Sequence, residues 1–239
     1  MKIITWNCKM KFREDLQEVF PLKPDLLVVS ECENIDRLNL PREDLPEPSD
    51  AFWIGDNQSK GLGVFTFNGY KLELYENYSD EFKYILPLIL SNEKEEFNLM
   101  GIWTKKVGDK KQGHNNYIRQ VYLANIAYQE FLENENVIIC GDFNSNLIWE
   151  RTGMDKNHQD VLDQLSDKGI FSSYHHFFDE EQGKETLPTY YHYHKKDRPF
   201  HIDFCFLSKP LIEKLKLVSL GDFNSWIELS DHVPMTIEF

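Results

Sequence analysis

The sequence predicts an α/β protein in which two β-sheets make the core and helices flank them. Three observations carry that expectation. Apolar runs of strand length recur along the chain, two of them rich in β-branched residues: Leu26-Leu27-Val28-Val29-Ser30 and Val137-Ile138-Ile139-Cys140. Stripes of apolar residues at helical spacing lie between some of those runs. No internal repeat or low-complexity linker divides the 239 residues, a length that suits a single domain over 1–239.

The elements follow in order. Lys2-Ile3-Ile4-Thr5-Trp6-Asn7 opens the chain as a strand, 2–7. Phe12, Leu16, Val19 and Phe20 share one stripe and predict a helix over 12–20, ended by Pro21 and Pro24. Strands are expected at 26–31, 51–54, 62–67, 84–90 and 97–103, with the Pro-rich, acidic stretch 41–50 as a loop. Val121, Ala124, Tyr128, Phe131 and Leu132 predict a helix over 117–133, and a strand follows at 137–142. Val161, Leu162 and Leu165 predict a helix over 157–168, which Gly169 is suited to stop. A strand at 201–207, a short helix at 209–214 and a strand at 232–238 complete the chain.

Bulk composition narrows the class. Hydrophobic residues make up 41%, enough for a sizeable core, and the formal charge of −14 argues against indiscriminate binding to a long polyanion. Cys8, Cys32, Cys140 and Cys205 form no Cys-x-x-Cys pair and lie in or beside apolar strands, so they read as buried thiols rather than a zinc site. A strand occupies the place of a signal peptide, and no apolar run approaches membrane-spanning length, so a cytoplasmic protein is expected. No coiled coil or exposed apolar helix points to an oligomer, so a monomer is expected.

Polar residues stand at the ends of the apolar strands. Asn7 ends the first, Glu31 the second, and Gly141-Asp142-Phe143-Asn144 closes the run from Val137. Asp203 lies in His201-Ile202-Asp203-Phe204, and Ser230-Asp231-His232 opens the last strand. One acid at a strand tip is an ordinary loop cap. Three acids at converging tips repel one another unless a cation lies among them, and oxygen ligands of this kind suit Mg²⁺ or Mn²⁺. Asp142 and Asn144, two apart, face one side of a continuing strand, or else form an Asx turn. A carboxylate such as Asp203 beside His232 fixes the imidazole tautomer and raises the basicity of its other nitrogen. The chain has eight histidines, and the others are assigned no chemistry.

Basic residues cluster near these tips: Lys9, Lys11 and Arg13; Lys105, Lys106, Lys110, Lys111 and Arg119; Lys195, Lys196 and Arg198. Solvated surface charge explains such clusters in general. Their position beside the acids favours a locally positive rim that attracts phosphates. Tyr190-Tyr191-His192-Tyr193-His194 adds aromatics that stack on bases or pack internally.

Taken together, Trp6-Asn7, Glu31, Gly141-Asp142-Phe143-Asn144, Ile202-Asp203-Phe204 and Ser230-Asp231-His232 resemble, in residues and order, the endonuclease/exonuclease/phosphatase superfamily. The resemblance spans nearly the whole chain. It implies a four-layer α/β sandwich, two mixed β-sheets packed face to face with helices outside, and a Mg²⁺- or Mn²⁺-dependent phosphoester hydrolase. By position it implies Asn7, Glu31 and Asp231 at the metal, Asp142 and Asn144 at the attacking water and phosphoryl group, and Asp203 supporting His232. Asp142 and His232 both remain candidates for the base. Many relatives place a His or Tyr where Trp103 ends its strand, and an indole cannot pass a proton to a leaving group. Lys105, Lys106 or Arg119 would then supply charge to the substrate, and Lys196 and Arg198 are further substrate-binding candidates of the basic rim. Nucleic acid is the expected substrate, a small phosphoester the alternative, and a non-catalytic binding module the remaining reading.

Overall fold

A computed structural model, which describes residues 1–105, 117–151 and 156–239, shows how these segments assemble. In chain order the strands are β1 (Lys2–Asn7), β2 (Leu26–Cys32), β3 (Asp50–Asn57), β4 (Lys60–Thr66), β5 (Lys71–Leu74), β6 (Ile85–Ser91) and β7 (Glu96–Trp103). They continue as β8 (Val137–Asp142), β9 (Ile170–Ser172), β10 (Tyr190–Tyr191), β11 (Pro199–Phe200), β12 (Asp203–Ser208), β13 (Leu217–Leu220) and β14 (Met235–Glu238). The α-helices are α1 (Phe12–Val19), α2 (Ile118–Ala127), α3 (His158–Asp167), α4 (Ser173–Phe178), α5 (Lys209–Ile212) and α6 (Phe223–Trp226).

One sheet has the order β13-β14-β1-β2-β4-β3, the other β5-β6-β7-β8-β12-β9, and β10-β11 form a separate ribbon. Each large sheet holds one parallel pair, β1–β2 and β7–β8, among antiparallel neighbours. The parallel pairs arise where a helix carries the chain back between two strands: α1 between β1 and β2, α2 between β7 and β8. Ile3, Leu26, Val28, Leu62 and Val64 of the first sheet meet Leu86, Leu88, Leu99, Ile138 and Leu207 of the second in one buried cluster. Phe12, Leu16 and Val19 of α1 cover Ile4, Trp6, Leu27 and Val29 on one outer face. Ile118, Val121, Ala124, Val161 and Leu165 of α2 and α3 cover Met100, Ile102, Ile139 and Phe206 on the other. The result is a four-layer α/β sandwich. Central strands are buried on both faces, which is why they read as continuous apolar runs rather than alternating ones. Each such Leu, Ile or Val contributes about 1.5–3 kcal/mol by leaving water.

The differences from the expected elements lie at edges and ends. β5, β9 and β13 were not expected: they are edge strands of three or four residues, too short to show a period. The helix expected over 117–133 ends at Ala127, and a 3₁₀ turn, Phe131–Glu133, carries the rest of the apolar stripe. The last strand begins at Met235 rather than 232, leaving Asp231 and His232 in a loop. All four cysteines are free and buried. Among the described residues, no helix is long and apolar enough to cross a membrane.

Candidate active site

The ends of β1, β2, β7 and β8 and the start of β12 bring the motif residues to one edge of the sandwich. Parallel pairing sets Asn7 opposite Ser30, next to Glu31, and sets Trp103 opposite Asp142. Antiparallel pairing sets Asp203 directly opposite Asp142. Gly141 has φ 145°, and a Cβ there would lie 1.9 Å from the Ile102 carbonyl oxygen. Only glycine lets β8 approach β7 so closely just before the acid.

Asp142 is fully buried and accepts three hydrogen bonds. Asn7 Nδ2 and Asn144 Nδ2 each donate to Oδ2 at 2.9 Å, and the Asn144 backbone N–H donates to Oδ1 at 2.8 Å. β8 ends at Asp142, so Asn144 reaches it through an Asx turn with φ 47°, not through the pleat of a continuing strand. The second Asn144 amide contact is the Thr104 carbonyl, at 3.2 Å. Burial first, then the neighbouring Asp203 charge, pushes the Asp142 carboxyl up to about 7, against the pull of His232 and the Asn7 and Asn144 donors.

His232 is buried, with Nδ1 2.7 Å from Asp203 Oδ2. Its carbonyl accepts from Trp6 Nε1 at 3.0 Å, and its backbone N–H donates to Ser230 Oγ at 3.1 Å. Ser230 Oγ in turn donates to the Asn7 carbonyl at 2.7 Å, tying the His232 loop to β1. Burial opposes charge on the imidazole. The Asp203 carboxylate and hydrogen bond, with Asp142 and Asp231 beyond, outweigh it and raise His232 to about 9. Asp203 Oδ1 is buried without a partner among the described residues. The Tyr190 ring packs on the His232 ring at 4.7 Å. Burial, then the Asp231 and Asp142 charges, raise the Tyr190 phenol to about 12, and its hydroxyl lies 2.7 Å from His192 Nδ1.

Glu31 sits at a register shift between β2 and β4, with φ 60°. The left-handed backbone at this bulge costs about 1–3 kcal/mol in strain. Its carboxylate meets Lys60 Nζ at 2.9 Å, and Asp231 meets Lys9 Nζ at 3.4 Å. Asp142, Asp203 and His232 offer ligand atoms within 4.8 Å of one another, a different set from Asn7, Glu31 and Asp231. Within that set the Asp142 oxygens already accept three hydrogen bonds, and Asp203 Oδ2 is engaged by His232 Nδ1. The half-buried oxygens of Glu31 and Asp231 are the better fit to a hard, hydrated divalent ion.

The expected substrate-binding residues are less uniform. Trp103 is 2% exposed and packs edge-on against Tyr84 at 4.9 Å, so it offers substrate little open surface. Its ring instead carries Lys105 Nζ at 4.3 Å and Lys60 Nζ at 5.3 Å. Lys105 also stands 3.8 Å over Tyr84 and 3.5 Å from Asp56. Arg119 is exposed on α2, Lys196 lies 5.6 Å over the Phe223 ring, and Arg198 is exposed in the turn between β10 and β11. Lys106 lies outside the described residues. Neither Lys60 nor the tie of Ser230 to β1 carried an expectation, because Glu31 and the Asn7 carbonyl lie far from them in sequence. The one available signal for Ser230 was its place in the Ser-Asp-His motif.

The sequence model of the Endonuclease/Exonuclease/phosphatase family matches residues 4–232. No curated protein sequence matches the chain. Among solved structures, a 3′-5′ exonuclease from Neisseria meningitidis is 17% identical with a TM-score of 0.67, covering 100% of this chain and 99% of that one. An AP endonuclease from Archaeoglobus fulgidus is 16% identical with a TM-score of 0.68, at 100% and 99% coverage. One from Leishmania major is 12% identical with a TM-score of 0.68, covering 99% of this chain and 86% of that one. At these identities the likeness is one of fold.

Proposed function

The chain belongs to the endonuclease/exonuclease/phosphatase family, and from that premise we propose that it is a divalent-metal-dependent phosphodiester hydrolase acting on nucleic acid. The observation that carries this is the buried cluster at the sheet edge in which Asp142, held by the Asn7 and Asn144 amides, stands opposite Asp203, whose Oδ2 lies 2.7 Å from His232 Nδ1. Glu31, Asp231 and Asn7 would hold Mg²⁺ or Mn²⁺; their all-oxygen donor set suits such an ion. When bound, the ion supplies electrostatic stabilisation to phosphoryl and leaving oxygens.

The protein's own groups divide the remaining work. Asp142 takes the proton of the attacking water at a carboxylate oxygen. The Asn7 and Asn144 amides keep that carboxylate in one orientation. The protonated imidazole of His232, oriented through Nδ1 by Asp203, donates from Nε2 to charge developing on the phosphoryl group. Lys105 and Arg119 contribute positive charge at the rim.

With Asp142 ionised above about 7 and His232 protonated below about 9, the pH–rate profile is expected to be bell-shaped between those limits. The test is nicking of supercoiled plasmid in Mg²⁺, with a chelator control. Asp142→Asn and His232→Ala should each lower the rate by about 10²–10⁴-fold. Wild-type turnover in both variants would refute the assignment. The net charge of −14 favours a small phosphoester as a second reading. Faster metal-dependent hydrolysis of a generic bis-phosphodiester than of plasmid DNA or single-stranded RNA would select it.

A further inference from the structure

Two carboxylates at the mouth of the site are each matched to a lysine from a different strand end. Lys60 Nζ at the start of β4 lies 2.9 Å from Glu31 Oε2, with the side chains 31% and 19% exposed. Lys9 Nζ, just past β1, lies 3.4 Å from Asp231 Oδ2, with exposures of 36% and 20%. Lys9 is placed by its backbone, which holds φ 52° while its N–H donates to Asn7 Oδ1 at 3.0 Å. Its Nζ also contacts His194 Nε2, and His194 Nδ1 meets the Ile227 carbonyl at 2.8 Å. Lys60 has a second berth: the Trp103 ring lies 5.3 Å from its ammonium, beside the Lys105 ammonium on the same ring. An aromatic face stabilises a cation there without any carboxylate.

We propose that Lys60 and Lys9 are counter-cations of the carboxylates that receive the metal, and that they become phosphate-binding groups once a divalent ion takes those oxygens. The proposal rests on the reading of Glu31 and Asp231 as metal ligands. An ammonium and a divalent ion cannot both hold the same carboxylate oxygen at contact distance, so the two compete. Exchange replaces one positive charge at Glu31 by two and frees the first. The site mouth thereby gains positive charge, and Lys60, released from Glu31, keeps its place over Trp103, next to Lys105, at the rim a phosphate backbone would follow. Metal loading and nucleic-acid binding then favour each other, and by linkage each strengthens the other equally. This gives Trp103 a role its buried indole can fill: a support for the released lysine rather than a contact for substrate.

The test is Mn²⁺ binding by isothermal titration calorimetry on the free protein, without turnover. Lys60→Met keeps most of the side-chain stem and removes the competitor. It should bind Mn²⁺ more tightly than wild type by about two- to fivefold, the range of a half-exposed ion pair, and Lys60→Arg should return affinity toward wild type. A misfolded site would bind more weakly, so a gain is not a structural artefact. Anisotropy of a labelled single-stranded oligonucleotide is then read in an Asp142→Asn background, which prevents cleavage. There Lys60→Met should shrink the Mn²⁺-dependent gain in affinity. Unchanged or weaker Mn²⁺ binding by Lys60→Met, with wild type binding normally, overturns the counter-cation role alone. Absence of Mn²⁺ binding by both proteins overturns the metal-site reading beneath it.

Discussion

Asp142→Asn is expected to inactivate the protein and to stabilise it. In the folded chain Asp142 is buried opposite Asp203, and its pKa rises from an ordinary 3.8 to about 7. For an acid whose folded pKa is raised, the unfolded chain ionises first, so stability falls as pH climbs from about 4 to about 7 and stays low above that. At ~1.4 kcal/mol per pH unit, the carboxylate opposes folding by about 4 kcal/mol at pH 8. An amide removes that term but accepts fewer bonds. Of the three donors on Asp142, one or two lose their partner, at about 1 kcal/mol each or somewhat more. The net gain is about 1–3 kcal/mol, or a Tm rise of roughly 3–9 °C for a domain of this size. The assay is thermal unfolding in EDTA at pH 8 and pH 4. The gain should appear at pH 8 and shrink to nearly nothing by pH 4, where the folded carboxyl is protonated and the unfolded one is only about half ionised. A variant that melts at or below wild type at pH 8, or that gains equally at both pH values, would refute the electrostatic reasoning.

Two further outcomes follow from buried groups near the site. His158, at the start of α3, is 2% exposed with Nε2 unpartnered, and burial lowers its pKa from 6.5 to about 4. The unfolded chain therefore takes up that proton first, and stability should fall by about 3 kcal/mol as pH drops from 6.5 towards 4. Urea titrations of wild type and His158→Gln should diverge across that range, and parallel curves would contradict it. Gly141→Ala places a Cβ 1.9 Å from the Ile102 carbonyl at φ 145°, so it should cost about 3 kcal/mol or more in clash and backbone strain. A Tm within about 2 °C of wild type would show that the β7–β8 approach is not tight.

Residues whose position is set by their own strand were legible from the sequence. Asn7, Glu31, Asp142 and Asp203 end or begin apolar runs, and a polar residue at the tip of a doubly buried strand has few places to go but a site at the sheet edge. The central strands and α1, α2 and α3 were legible for a related reason: long buried segments carry a strong period. The short edge strands β5, β9 and β13 carry none and went unseen. The Asx turn at Asn144 competed evenly with a continued strand in the sequence, and the left-handed backbone at that residue decided for the turn.

What the tertiary structure alone decided is which groups touch and what charge they bear. Sequence fixes that Glu31 is an acid and Lys60 a base, but the antiparallel register of β2 on β4 and the bulge between Ser30 and Cys32 bring them to 2.9 Å. Trp103 suggested a substrate contact by its place in the chain, yet packing against Tyr84 buries it beneath two ammonium groups. The proton affinities of Asp142 and His232 depend on desolvation and on each other, quantities that exist only once the two sheets close over them. Local sequence sets where a polar side chain must emerge; its charge state and its partner belong to the folded environment, because both are differences in solvation and distance between segments far apart along the chain.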